Sequence, residues 1–321
     1  MTGKYDIEIY NNKAHYFLSV KRNITILQGN SATGKTELIR LVQEHEENGV
    51  SSGITLICKA KCTVLTMIDW ERRMESLEGC IIFIDETAAF LKTQRFAELV
   101  KGSDNYFVIA TRDDLSMLPY SIEEIYGLRN DKQKYIKYHK VYNEMFRLYN
   151  FDIVRQIEPE IVITENSNSG NEFFNIIFPE KCMSANGKGN IYDLIKRENQ
   201  NTIIVIVDGA AFGAEIGKII RYLKWSNADC TIYAPESFEY ILLSSGLFAV
   251  PKEVLETTYL YADSKQFMSW ENYFTYYLTD ITRNTKYQYG KMKLKKAYKT
   301  EGAIKKIAAV LPKQMLTSLD N

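Results

Sequence analysis

Hydrophobic positions along this chain follow two patterns. Near the start they alternate. Tyr5-Asp6-Ile7-Glu8-Ile9-Tyr10 and the run from Ala14 to Val20, separated by Asn11-Asn12-Lys13, have the two-residue period of a half-buried hairpin. Further on they come as short continuous runs at 24–27, 80–84, 106–110, 161–164, 202–207 and 231–234, as strands buried on both faces of a parallel sheet do. Two shorter strands are expected at 54–58 and 62–65. Helical periodicity separates the runs, after Lys35 and at 69–77, 88–100 and 167–177, with another helix after Asn190. Strand and helix alternating in this way read as an α/β fold. From Ser264 onward the pattern is helical, and Trp270, Tyr273, Phe274, Tyr277 and Leu278 form a stripe that reads as core.

At 321 residues the chain has room for two domains of ordinary size. The expected division is a first domain over 1–150, a second over 151–262 and a helical, Lys/Tyr-rich segment over 263–321. Lysine plus arginine equals aspartate plus glutamate at 40 each, so no global charge announces a nucleic-acid or membrane partner. The five cysteines are odd in number and scattered through apolar runs, which suits structural thiols in a reducing compartment. Residues 1–10 lack the apolar core of a leader, and no stretch approaches the ~20 apolar residues of a membrane span. A cytoplasmic protein is expected.

The first chemistry sits at Gly29-Asn30-Ser31-Ala32-Thr33-Gly34-Lys35-Thr36, a complete G-x-x-x-x-G-K-[ST] phosphate loop between an apolar strand and a helix. Main-chain amides from Asn30 to Lys35 would wrap the α- and β-phosphates of a nucleoside triphosphate. Lys35 would reach the β/γ oxygens, and the Thr36 hydroxyl would ligate Mg²⁺. Asp85 and Glu86 end the buried run at 80–84. There Asp85 would hold Mg²⁺ through water and Glu86 would polarise the attacking water; the same acids would also serve as caps of the helix expected at 88–100. Thr111 and Arg112 end the run at 106–110. Thr111 would sense the γ-phosphate and Arg112 would pair with it or with a neighbouring subunit, if that strand stands beside the phosphate-loop strand; a solvated arginine is the alternative.

On GNSATGKT, IIFIDE and VIATR, residues 24–112 resemble the AAA/ABC-like branch of P-loop ATPases. The resemblance implies ATP and Mg²⁺ as ligands, with Lys35, Asp85, Glu86 and Arg112 as the catalytic set. No LSGGQ-like signature and no long helical insertion separate Thr36 from Asp85, unlike the transporter-type members. ATP and GTP are not distinguished.

In the second half, acids again end strands: Glu165 after 161–164, Asp208 after 202–207, and Glu236 and Glu239 after 231–234. With Gly187-Lys188 and Asp208-Gly209-Ala210-Ala211-Phe212-Gly213, this order resembles the Toprim domain of topoisomerases, primases and overcoming-lysogenisation-defect nucleases. That family holds Mg²⁺ on a glutamate and a D-x-D-x-x-G motif for phosphodiester chemistry. The resemblance implies Glu165 and Asp208 as metal ligands; Ala210 stands where the second aspartate belongs, with Glu215, Glu236 or Glu239 as substitutes. Lys286, Lys291, Lys293, Lys295, Lys296 and Lys299 alternate with Tyr287, Tyr289 and Tyr298, a composition suited either to a nucleic-acid backbone or to a solvated helix face. The resulting expectation is an ATPase coupled to a Toprim-like domain that binds or cleaves DNA or RNA, in phage or mobile-element defence. The alternatives are an ATP-dependent switch whose second domain docks a partner protein or a second copy, and a small-molecule kinase with Asp208 as base.

Overall fold

The structure, a computed structural model, describes residues 1–29, 34–131, 134–135 and 140–316. The chain forms two compact units, Met1–Tyr149 with Thr257–Ser269, and Asn150–Glu256 with the segment from Trp270 onward. The residues expected to form a third segment from 263 are thus divided at Ser269. Through Ser269 they belong to the first unit, where the Asn23 side-chain amide donates to the carbonyls of Ser264 and Phe267, each at 3.1 Å.

The first unit is built on a sheet of strands β1 (Tyr5–Tyr10), β2 (Ala14–Val20), β3 (Ile24–Leu27), β4 (Thr55–Ile57), β5 (Lys61–Val64), β6 (Cys80–Ile84), β7 (Tyr106–Ala110), β8 (Ile125–Asp131) and β9 (Val141–Arg147). Their order is β4-β1-β2-β9-β8-β3-β7-β6-β5. From β8 to β5 every pairing is parallel, and β3, β6 and β7 are buried throughout, as their unbroken apolar runs require. Helix α1 (Lys35–Asn48) lays Leu38, Ile39, Leu41 and Val42 on this sheet. The alternating hairpin forms as expected, Tyr5 opposite Val20 and Tyr10 opposite His15.

Three expectations are corrected. The strand expected at 54–58 is β4, which joins β1 antiparallel at the sheet's outer edge instead of the parallel core, because Thr55 and Ile57 face solvent. Residues 132–150 do not bridge the domains: within them β9 lies in the first sheet, parallel to β2 and antiparallel to β8. The helix expected at 88–100 is broken. A 3₁₀ turn covers Ala89–Lys92, and only after Thr93, whose hydroxyl caps the Phe96 amide at 3.2 Å, does α3 (Gln94–Val100) begin. It packs beside α2 (Trp70–Ser76), where Trp70 stacks on Phe90 with centroids 4.6 Å apart.

The second unit holds a parallel sheet of β10 (Ile161–Thr164), β11 (Cys182–Ser184), β12 (Ile203–Ile206) and β13 (Cys230–Tyr233), ordered β11-β10-β12-β13. The helices are α4 (Ser169–Ile177), α5 (Ile191–Arg197), α6 (Gly213–Trp225), α7 (Phe238–Ser244), α8 (Lys252–Glu256), α9 (Trp270–Ile281) and α10 (Glu301–Ala308). Tyr240 of α7 meets Phe274 of α9 at 5.1 Å, so the aromatic stripe read as core is core. From β10 the chain passes outward to β11, and from β12 it passes the other way to β13. A crevice therefore opens at the C-terminal ends of β10 and β12, the usual ligand position in such sheets.

Candidate functional site

In the first unit the phosphate-loop strand β3 has β7 on one side and β8 on the other, and β6 lies beyond β7. The C-terminal ends of β3, β7 and β6 therefore lie side by side, with Lys35, Arg112, Asp85 and Glu86 projecting from the segments that follow them. Residues Asn30, Ser31, Ala32 and Thr33 lie outside the described residues. Gly29 and Gly34, on either side of them, both take positive φ, 147° and 88°. At Gly34 a Cβ would lie 2.8 Å from the Tyr16 hydroxyl, which itself donates to the Gly34 carbonyl at 3.0 Å. Tyr16, unmarked in the sequence, braces the loop where it enters α1.

Lys35 is buried, 6% exposed, and its ammonium donates to the Gly29 carbonyl at 2.8 Å. Burial lowers its pKa from the ordinary lysine value; Arg112 adds to that, while Glu86 and Asp85 oppose it. Asp85 accepts from Thr87 at 3.3 Å through Oδ2, and among the described residues its buried Oδ1 has no hydrogen-bond partner. An acceptor left open beside a lysine is what a hydrated cation would complete, so these residues fit Mg²⁺ on a phosphate chain. Arg112 grips Glu86 with both arms, each 3.1 Å long. Neither acid caps a helix, since α3 starts after Thr93. Thr36 stands exposed in the first turn of α1, and Thr111 is buried with its hydroxyl engaged in its own turn with Asp113.

In the second unit Glu165 follows β10 and Asp208 follows β12, and both line the crevice with Asn166, Ser169, Glu239, Tyr289 and Lys291. Asp208 Oδ1 accepts from the Phe238 amide at 3.1 Å. Burial raises the Asp208 carboxyl well above the ordinary aspartate range; Glu271, Glu239 and Glu165 add to this and Lys291 opposes it. Burial likewise raises Glu165, with Glu271 adding to it and Lys188, the Asp208 amide and Lys291 working against it. The Tyr289 hydroxyl bonds Glu239 and Ser169, each at 2.8 Å. Lys188, in the glycine-lysine turn, donates to the Ala211 carbonyl at 3.1 Å.

Of the substitutes for the missing aspartate, Glu239 faces the crevice and Glu215 and Glu236 do not line it. Ala210 is 2% exposed with its amide bonded to the Glu236 carbonyl at 3.1 Å, and next to it a Cβ on Gly209 would lie 2.7 Å from the Ala234 carbonyl. The backbone after β12 is thus closed against the backbone after β13. Among the described residues no three acids, histidines or cysteines are arranged to hold a metal ion, so the Mg²⁺ implied for Glu165 and Asp208 does not fit this set. Two members of the cluster, Glu271 and Lys291, were not expected there. Lys291 belongs to the stretch read as basic, whose tyrosines pack on one another instead of standing free, Tyr287 against Tyr298 at 5.3 Å.

No helix among the described residues is long and apolar enough to cross a membrane. Compared with known proteins, the chain matches no family model and no curated protein.

Proposed function

We propose that the first unit binds a nucleoside triphosphate with Mg²⁺ and hydrolyses it. The observation that carries this reading is β7 lying between β3 and β6, because that order sets Lys35, Asp85, Glu86 and Arg112 around the mouth of one loop. Mg²⁺ bound there would neutralise phosphate charge and orient the phosphate oxygens. Lys35, already desolvated, would gain a polyanionic partner in place of a single carbonyl. Asp85 would accept from the ion's water through Oδ1, and Thr36 would supply its hydroxyl. Glu86, once Arg112 leaves it for the more negative phosphate, would be free to take a proton from the attacking water.

For the second unit we favour the switch reading over nucleolytic cleavage, because its carboxylates do not form a metal-holding group. DNA, RNA and a protein remain the partner classes to test, and nucleotide state in the first unit is the proposed control.

Calorimetry and phosphate release with ATP and GTP plus Mg²⁺ test the proposal. Binding and turnover are expected in the unaltered chain, binding without turnover in Glu86→Gln, and neither in Lys35→Ala. Absence of binding by the folded chain to either nucleotide would overturn it. Phosphate released in water without an added acceptor distinguishes hydrolysis from a kinase reaction.

A further inference from the structure

The crevice of the second unit gathers Glu165, Asp208, Glu239 and Glu271 within electrostatic reach of one another, which in water-poor surroundings is costly unless a cation intervenes. One is already present. The Lys291 ammonium forms an ion pair with Glu271, and the Glu239 and Asp208 carboxylates favour its charge as well. Burial disfavours the charge, yet these three carboxylates outweigh burial and hold the ammonium above the ordinary lysine range. The peptide around Lys291 is fastened in place, its carbonyl accepting from the Ser169 amide at 3.0 Å at the start of α4. The remaining cavity measures about 30 Å³, the share of one water molecule in the liquid. A divalent ion with the waters it keeps has no room there while Lys291 stays.

We propose that Lys291 occupies, as a covalently tethered cation, the position in which the Toprim resemblance implies a divalent metal, so that the second unit is folded and charge-balanced without metal. This stands apart from nucleotide hydrolysis in the first unit. Either can fail alone.

The test uses the full chain carrying Asp85→Asn, without nucleotide, so that the first unit offers no competing ion site. Bound Mn²⁺ is followed by electron paramagnetic resonance and by melting temperature. With Lys291 intact, Mn²⁺ is expected neither to bind nor to shift the melt. Adding Lys291→Met is expected to lower the melting temperature and create one Mn²⁺ site that restores it, and adding Asp208→Asn as well is expected to remove that site. Mn²⁺ bound with Lys291 present and lost in Asp208→Asn would overturn the proposal. So would a folded Lys291→Met chain that takes no Mn²⁺, or one that Mn²⁺ cannot restore to the folded state, since a tethered cation in a metal's position must be replaceable by the metal.

Discussion

Gly34 and Tyr16 form a brace whose strength can be worked out from the structure. At φ 88° an alanine would cost about 1–2 kcal/mol from backbone strain alone. Its methyl would also lie 2.8 Å from the Tyr16 hydroxyl, forcing that hydroxyl off the Gly34 carbonyl. A hydrogen bond of this kind contributes about 1 kcal/mol, and the carbonyl retains its bond from the Leu38 amide at 2.9 Å, so nothing is left orphaned. Gly34→Ala should therefore destabilise the first unit by about 2–3 kcal/mol. Tyr16→Phe, which only deletes the hydroxyl, should cost about 1 kcal/mol. In the double variant the methyl enters space already vacated, so the two effects should fall short of additivity by about 1 kcal/mol. Of the chain's three tryptophans only Trp70 lies in the first unit, and it stacks on Phe90. Urea titration in a Trp225→Phe, Trp270→Phe background, followed by Trp70 fluorescence, reads this unit alone. Strict additivity, or a loss below about 1 kcal/mol for Gly34→Ala, would refute the reasoning.

Arg112→Ala removes a pair that is 54% exposed on the arginine and 30% on the glutamate, so denaturation should register under about 1 kcal/mol, while phosphate release should slow by on the order of 10³-fold. A large stability loss with turnover unchanged would contradict that assignment. Thr93→Ala should lower stability by about 1 kcal/mol in the same Trp70 assay through loss of the α3 cap. A hydrogen bond from Cys62 stabilises the Cys58 thiolate and brings its pKa down to about 7, against burial of the site. Burial pushes Cys182 and Cys230 up to about 12. Iodoacetamide followed by peptide mass spectrometry should therefore modify Cys58 first, with a rate rising through neutral pH as the thiolate forms. Plasmid DNA incubated with the chain and Mg²⁺ or Mn²⁺ should stay uncut, and nicking abolished by Glu165→Ala would restore the nuclease reading.

What could be read in the sequence follows from how locally each feature is determined. Strands β3, β6, β7, β10, β12 and β13 were located to within a residue at either end, because burial on both faces forces an unbroken apolar run. The phosphate-loop residues are contiguous, and the acids ending β6 and β12 sit directly after such runs. Strand order has no local signature. That β9 would enter the first sheet between β2 and β8 depends on pairings such as Ala14 with Val141, which no window of sequence contains. The break before α3 is local, but it rests on one threonine capping inside a run that otherwise scans as helix. Lys291 escaped for a different reason: surrounded by lysines and tyrosines, it carried the composition of a nucleic-acid surface, while its partners lie on α7, α9 and the end of β12. Two of those partners, Glu239 and Asp208, were noted as strand-end acids without the cation that faces them.

The return of residues 257–269 to the first unit interleaves the two units in time as well as in chain order. A ribosome would have to deliver Ser264 and Phe267 before the Asn23 amide could find its acceptors. By then the core of the second unit would still await Trp270 and Phe274. Neither body can finish folding on a nascent chain ahead of the other. Contacts this distant in sequence should make refolding slow, and ending synthesis at residue 256 should leave both bodies incomplete.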